Sequence, residues 1–150
     1  MAGVFHGSPV AVKAAKNTGG VSVERVVAIA NEVRIMRHAH HPNIVLCYGS
    51  CVEPDRVEVL LVLERVRGPH LSTYVFEHSA DDEVHVRLQL LLDVACALRY
   101  LHNQPLAIVH GDLKGSNVLV EAAVPRAKLV DFGLSRLLTR SAKPLGGSLA

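Results

Sequence analysis

The sequence predicts an α+β protein in which a small β-sheet with one helix precedes a mainly helical half. Short apolar runs of strand length, rich in β-branched residues, recur between residues 10 and 63. One segment in that stretch, residues 22–40, carries apolar residues at helical spacing instead. A longer amphipathic segment follows at residues 81–102. Because the strands come first and the long helix later, the two kinds of element are segregated along the chain, as in α+β folds.

Three strands and one helix are predicted in the first half, at residues 10–13, 44–49 and 57–63 for the strands and 22–40 for the helix. Ser22 is a suitable N-cap for this helix. Pro42 ends it, because proline disfavours helical geometry in the residue before it. The strand over residues 57–63 is apolar at nearly every position, so we expect it to be buried on both faces.

Two helices and two short strands are predicted in the second half, at residues 71–76 and 81–102 for the helices and 118–120 and 128–130 for the strands. Gly68-Pro69 separates this half from the preceding strand. The longer helix begins with acidic residues, which suit the positive end of the helix dipole, and carries an apolar stripe. Residues 139–150 have the composition of a loop.

Composition argues against several classes of function. The 150 residues are 49% apolar and 20% charged, with a formal charge of +2 that is spread along the chain. Together with 4% aromatic residues and no tryptophan, this argues against nucleic acid as a partner. Three cysteines without a CxxC pair fit neither a disulfide framework nor a zinc site. With no signal-peptide pattern and no long apolar run, we expect no membrane segment and an intracellular, cytoplasmic protein.

Lys13 is the first residue with candidate chemistry, at the end of the apolar run VAVK. A half-buried ammonium group is costly unless an anion meets it. Glu32, on the predicted helix 19 positions later, is the candidate partner, and the sequence HPNIV at residues 41–45 follows that helix. The alternative is an ordinary surface lysine and a solvated glutamate.

Two further motifs place polar side chains in loops. Residues 109–117 read VHGDLKGSN and supply the carboxylate of Asp112, the ammonium of Lys114 and the amide of Asn117. The motif Asp131-Phe132-Gly133 begins 19 positions after Asp112 and directly follows an apolar strand. Phosphoryl transfer requires chiefly positioning and charge neutralisation, which a carboxylate, a cation and a metal-binding amide on one loop can provide.

In their order and spacing, these motifs resemble the catalytic domain of protein kinases over nearly the whole chain. Lys114 and the sequences HGDLKGSN and DFGLSR are most similar to serine/threonine kinases of the tyrosine-kinase-like group. The resemblance implies a two-lobed protein-kinase-like fold that is incomplete at both ends. Its expected parts are a small β-sheet lobe with one helix at residues 1–63, a hinge at 64–70, and the first part of the helical lobe through the activation loop at 71–150.

The resemblance also implies an activity, which is transfer of the γ-phosphate of ATP to serine or threonine hydroxyls of a protein substrate, with Mg²⁺ as cofactor. Asp112 would accept the proton of the hydroxyl, and Lys114 would steady the γ-phosphate. The implied Mg²⁺ ligands are Asn117 and Asp131. The implied ATP-binding residues are Lys13, Glu32, Val4, Ala11, Leu63, Glu64, Val66 and Leu119, the last five of them around adenine.

The sequence departs from the kinase pattern in three places. Only Gly3 and Val4 can represent the glycine-rich loop, and no APE motif follows Asp131, so we expect these 150 residues alone to be inactive. Gly111 replaces the arginine of the usual HRD motif, from which we expect activity that does not depend on a phosphorylated activation loop. The sequence HGD also resembles aminoglycoside and choline phosphotransferases. A small-molecule phosphotransferase and a non-catalytic pseudokinase or nucleotide-binding scaffold are therefore the alternatives.

Overall fold

The computed structural model describes residues 1–14, 23–53, 58–78 and 84–138. Its first half is a four-stranded antiparallel sheet with strand order β1-β2-β4-β3, formed by β1 (Ala2–Phe5), β2 (Ser8–Ala14), β3 (Cys47–Glu53) and β4 (Glu58–Glu64). The two-residue turn His6-Gly7 joins β1 to β2, and both of its residues have positive φ, at 47° and 80°. Such turns match the twist of a tight hairpin.

One helix, α1 (Val23–Met36), packs against β3 and β4. The predicted helix over residues 22–40 extends too far at its C-terminal end, because a tertiary contact engages the backbone there. The hydroxyl of Tyr100 accepts the N–H of His40 and donates to the carbonyl of His38, both at 3.0 Å. Residue 22 lies outside the described residues, so its role as N-cap stays a prediction.

The predicted strand over residues 44–49 begins too early, since β3 begins at Cys47. Ile44 and Val45 are each 2% exposed and join the second half of the chain instead. The N–H of Val45 donates to the carbonyl of Leu129 at 3.0 Å, and the N–H of Leu129 donates to the carbonyl of Asn43 at 2.8 Å. A β-branched run can pair with either half, and tertiary packing decides between them.

Strand β4 coincides with the predicted strand over residues 57–63 to within one residue, but the expectation that both faces are buried is wrong. Leu61 is 1% exposed, whereas its neighbours are only half-buried, namely Val59, Leu60, Val62 and Leu63. Helix α1 packs against this strand but leaves these four side chains only partly covered.

The second half contains α2 (Leu71–Glu77), α3 (Val84–His102) and two short antiparallel ladders, in which β5 (Ile108–Val109) pairs with β8 (Arg136–Leu137) and β6 (Val118–Val120) pairs with β7 (Ala127–Leu129). The strand predicted at 128–130 is displaced by one residue from β7. The ladder of β5 and β8 is missing from the prediction, because two-residue strands carry no readable periodicity. The predicted loop at 139–150 lies outside the described residues.

The long helix α3 has one buried and one exposed side. It packs against β5 and β7, and its buried apolar residues share one core with Leu129 and Phe132. Its other side presents large apolar side chains to solvent, at Val84, Leu88, Leu91 and Leu92. Even so, no helix in the described part of the chain has the length and apolarity needed to cross a membrane.

The connection between the halves runs along β6. The carbonyl of Arg67 accepts the N–H of Ala122 at 2.8 Å, and the carbonyl of Pro69 accepts the N–H of Val120 at 2.9 Å. Gly68 lies so close to this strand that an added Cβ would meet the carbonyl oxygen of Val120 at 1.8 Å. Glycine is therefore required there, and the connection is held firmly against the second half.

Candidate active site

Lys13 on β2 is the centre of an ion-pair cluster that joins the two halves. Its Nζ lies 2.8 and 2.9 Å from the two carboxylate oxygens of Glu32 on α1, and 2.8 Å from Oδ1 of Asp131. Glu32 is 2% exposed, and a carboxylate buried to this degree needs a cation beside it. The partnership of Lys13 and Glu32 expected from the sequence is present. Asp131 is a second partner of Lys13 that the sequence did not indicate.

The cluster keeps Lys13 and Asp131 in their charged forms. Partial burial by itself would lower the pKa of Lys13, but the hydrogen bonds to Asp131 and Glu32 outweigh it and raise the pKa above 10.5. Burial likewise opposes ionisation of Asp131, yet the hydrogen bond from Lys13 and its charge hold the pKa below 3.8. A full positive and a full negative charge therefore face each other near neutral pH.

The backbone at Asp131 fixes the direction of its carboxylate. Its φ is 63°, a left-handed conformation that aspartate adopts more readily than most residues. The next residue, Phe132, is 0% exposed, and its ring centroid lies 4.9 Å from that of His110. The N–H of Gly133 donates back to Oδ1 of Asp131 at 3.3 Å. A buried aromatic ring and a tight turn thus hold the carboxylate at the edge of the core.

Residues 110–117, which we call the Asp112 loop, gather their polar side chains around Asp112. Nζ of Lys114 lies 2.7 Å from Oδ2 of Asp112. Nδ2 of Asn117 donates to the carbonyl oxygen of Asp112 at 2.8 Å and to its Oδ2 at 2.9 Å. The hydrogen bond from Lys114 is the main cause that lowers the pKa of Asp112 below 3.8. The carboxylate is therefore ionised near neutral pH, and at 34% exposure it remains accessible.

Asn117 and Asp131 are brought close by backbone pairing. The N–H of Val130 donates to the carbonyl of Asn117 at 3.0 Å, so Asp131 follows the residue that pairs with Asn117. Within the part of the chain that the structure describes, the side-chain hydrogen bonds of Asn117 use its amide nitrogen, and those of Asp131 use Oδ1. One amide oxygen and one carboxylate oxygen are left for a cation. Mg²⁺ prefers such oxygen ligands, so this donor set fits it.

Three of the residues expected around adenine lie on the strands and at the connection. Ala11 on β2 is directly opposite Leu63 on β4, so the structure brings these two together. Leu119 on β6 forms an isolated bridge with His70, at the end of the connection. Val4 lies on the outermost strand, β1, and is 76% exposed.

Glu64 and Val66 lie where β4 leaves the sheet. The N–H of Glu64 donates to the carbonyl of Leu46 at 2.8 Å, so any contact of its backbone with a base must come from its carbonyl. Its side chain contacts Lys128, with 2.6 Å between Oε1 and Nζ. Val66 is half-buried and packs against the core.

Sequence reasoning missed several polar residues that the fold uses. Asp93 interrupts the apolar stripe of α3, and a charged residue in this position could have indicated a structural role. It is 3% exposed and accepts the N–H of Ala127 at 2.9 Å. The pairs Lys128–Glu64 and Asn31–Ser135 had no comparable signal, because their members lie 64 and 104 positions apart.

Comparison with known proteins gives a consistent result. The family described as protein tyrosine and serine/threonine kinase matches residues 3–146. Serine/threonine-protein kinase CTR1 of Arabidopsis thaliana is 38% identical over 135 residues, and serine/threonine-protein kinase VIK of the same species is 36% identical over 137. Probable serine/threonine-protein kinase drkD of Dictyostelium discoideum is 33% identical over 147 residues.

These alignments cover most of this chain and a small part of each relative. They span 89%, 89% and 97% of this chain, and 16%, 30% and 11% of CTR1, VIK and drkD respectively. The chain therefore corresponds to less than a third of the length of each of these three proteins.

Proposed function

The chain belongs to the protein tyrosine and serine/threonine kinase family, and we propose that the protein transfers the γ-phosphate of ATP to serine or threonine hydroxyls of a protein substrate. Its sheet with one helix, followed by a helical half, is a partial kinase-like fold. CTR1, VIK and drkD are named as serine/threonine kinases, which supports serine and threonine as the residues that receive the phosphate.

The observation that carries the proposal is the contact of Lys13 with both Glu32 and Asp131. A cation from the sheet meets a carboxylate that follows β7, next to the residue that pairs with Asn117. Positive charge next to free oxygen ligands suits a phosphate chain with its metal ion. An ion pair with a purely structural role would not need the remaining oxygen atoms of Asn117 and Asp131 as ligands.

In this proposal the two lysines bind phosphate oxygens. Lys13 neutralises charge on the phosphates nearer the nucleoside, and Glu32 fixes the position of its ammonium group. Lys114 neutralises charge on the γ-phosphate from the Asp112 loop. Asn117 and Asp131 would hold Mg²⁺, which when bound withdraws negative charge from the phosphate oxygens. Charge neutralisation and alignment supply most of the acceleration in this class of reaction.

Asp112 orients the attacking hydroxyl and takes its proton. The hydroxyl oxygen forms its bond to the γ-phosphorus while the bond from that phosphorus to the ADP oxygen breaks, and the proton passes to a carboxylate oxygen of Asp112. The low pKa of Asp112 makes it a weak base. Its larger contribution is therefore to hold the hydroxyl in line with the bond that breaks.

We place adenine between Ala11 and Leu119, with Leu63 at the back of the pocket and the carbonyl of Glu64 and the backbone of Val66 as hydrogen-bonding groups. Val4 would cover the nucleotide from β1. Such a pocket is largely apolar, with a few polar groups that fix orientation, as small-molecule sites usually are.

The same proposal includes a location and a role. Because ATP is an intracellular substrate, we place the protein in the cytoplasm. Phosphorylation of a protein substrate would be its part in signal transduction.

The test is the substitution Asp131→Asn in the whole protein. We expect magnesium-dependent binding of ATP to weaken at least 100-fold and phosphate transfer to a serine/threonine peptide library to be lost, because one metal ligand loses its charge. Glu121→Gln removes a carboxylate that lies outside the cluster and should change neither. Unaltered ATP binding in Asp131→Asn would identify a scaffold and contradict the proposal.

A further inference from the structure

The segment that begins at Asp131 is held by polar contacts that the proposed reaction does not use. We call residues 131–135 the Asp131 segment. Ser135 in this segment is 3% exposed, and its hydroxyl donates to the carbonyl of His110 at 2.8 Å. The carbonyl of Ser135 accepts from the side-chain amide of Asn31 on α1 at 2.6 Å. Ser135 thus joins the Asp131 segment both to the Asp112 loop and to α1.

Gly111 in the Asp112 loop contacts the same segment through its backbone. Its φ is 83°, and a Cβ added there would lie 2.2 Å from the carbonyl oxygen of Leu134 and 3.0 Å from the carbonyl carbon. The first of these distances is far below any real contact of a Cβ atom. Since the atoms it would meet are backbone, a side chain at position 111 would require the Asp131 segment or the Asp112 loop to shift from this arrangement. Glycine therefore permits this close approach.

We propose that Gly111 and Ser135 are positioning residues that hold the Asp131 segment in its active arrangement against the Asp112 loop. This inference rests on the proposed function, because Asp112, Asn117 and Asp131 must keep a fixed mutual geometry to align a hydroxyl and a phosphate. A hydroxyl-to-carbonyl hydrogen bond and a steric fit involve no ionic group. They hold the two segments together without a phosphorylated residue or an arginine to receive it.

The role of Ser135 is tested by steady-state kinetics of the whole protein. Ser135→Ala should lower kcat about 3- to 10-fold, the effect of one neutral hydrogen bond, with little change in KM for ATP. Ser135→Thr keeps the hydroxyl and should restore kcat to within about twofold of wild type. Ser50→Ala alters an exposed serine on β3 and is the control. Wild-type kcat in Ser135→Ala would overturn the inference.

Gly111 has a matched control in Gly7. Both glycines have similar left-handed backbones, with φ of 83° and 80°, but a Cβ at Gly7 would meet no atom of the described residues within 4 Å. Backbone strain is therefore common to both alanine variants, and the clash with Leu134 is specific to one. Gly111→Ala should lower kcat more than about tenfold, and Gly7→Ala should stay within about twofold. Equal effects of the two substitutions would show that the close approach has no role.

Failure of this inference and failure of the proposed function give different results. If the wild-type protein transfers no phosphate, the proposed function is wrong, and the inference is then tested by hydrogen exchange. The N–H of Ser135 donates to the carbonyl of Phe132 at 3.0 Å, and that of Leu138 to the carbonyl of Ala107 at 2.7 Å. Faster exchange of these two amides in Ser135→Ala than in Ser50→Ala supports the positioning role. Equal rates would overturn it.

Discussion

The ammonium group of Lys128 on β7 lies 2.6 Å from Oε1 of Glu64, the last residue of β4. Both side chains are largely buried, with exposures of 15% and 26%. The other carboxylate oxygen of Glu64 accepts the N–H of Leu46 at 3.1 Å. This ion pair therefore joins the two halves beside the connection between them. The sequence suggested a role only for the backbone of Glu64, and the structure adds one for its side chain.

Lys128→Met should lower the free energy of unfolding by about 2 kcal/mol, because it leaves the carboxylate of Glu64 partly buried without its cation. Urea denaturation measures the change. Arg65→Met removes an exposed cation one residue after Glu64 and should cost less than about 0.5 kcal/mol. The double variant Lys128→Met with Glu64→Gln should lose less than the sum of the two single losses. Strict additivity would contradict a direct interaction.

Phosphate mimics after the Asp131 segment test the consequence of Gly111. Thr139, Ser141 and Ser148 lie outside the described residues, in the stretch where kinases are commonly phosphorylated. Because glycine stands where the family usually has a phosphate-binding arginine, replacing each of the three by glutamate should leave kcat of the whole protein within about twofold. Steady-state kinetics measures the rate, and a stimulation of tenfold or more would contradict the expectation.

Removal of Lys114 should change the pH dependence of the rate. Asp112 has a pKa below 3.8, so activity that requires its ionised form is present above this pH and is lost as the pH falls through the lowered pKa. Lys114→Ala removes the main cause of the lowering, and the acid limb of the kcat profile should move to higher pH. Lys114→Arg retains a cation and should leave the limb in place. Coincident limbs for Lys114→Ala and wild type would contradict this assignment.

The parts of the site that the sequence predicts are those fixed by local chemistry. A lysine at the end of an apolar strand requires an anion, and Glu32 on the next helix supplies it at 2.8 Å from Lys13. Asp112 and Asn117 were both singled out on one short loop, and their side chains lie within hydrogen-bonding distance, at 2.9 Å. The catalytic role of Asp112 and the metal-binding role of Asn117 stay predictions.

The parts that the sequence does not predict are set by contacts between distant segments. Val45 pairs with β7 rather than with its own sheet, and nothing in its β-branched character distinguishes the two. Ser135 follows the Asp131 motif without any local pattern, and its hydroxyl finds the carbonyl of His110 only when the loops pack. The need for glycine at 111 is visible only once Leu134 is seen against it.

Asp93 is a buried carboxylate that orders the start of β7. It is 3% exposed, its Oδ2 accepts the N–H of Ala127 at 2.9 Å, and its Oδ1 accepts from Nε2 of Gln89 at 3.0 Å. The carbonyl of Ala127 accepts from Nδ2 of Asn43 at 3.0 Å. Side chains therefore bind both backbone polar groups of Ala127. Asp93 on α3 accepts its N–H, and Asn43 in the loop after α1 donates to its carbonyl. The strand that leads to Asp131 begins from this fixed point.

Asp93→Ala should lower the free energy of unfolding by about 2–3 kcal/mol, because the buried N–H of Ala127 loses its acceptor and the removed atoms leave a cavity. Asp93→Asn keeps an acceptor oxygen and the volume, so its loss should be smaller. Gln89→Ala removes one exposed partner of Asp93 and leaves the contact with Ala127 in place, so it should cost less than about 1 kcal/mol. Urea denaturation ranks the three variants. If Asp93→Ala costs no more than Gln89→Ala, the contact with Ala127 does not stabilise β7, and the strand must be held by its pairing with β6 and its packing on α3.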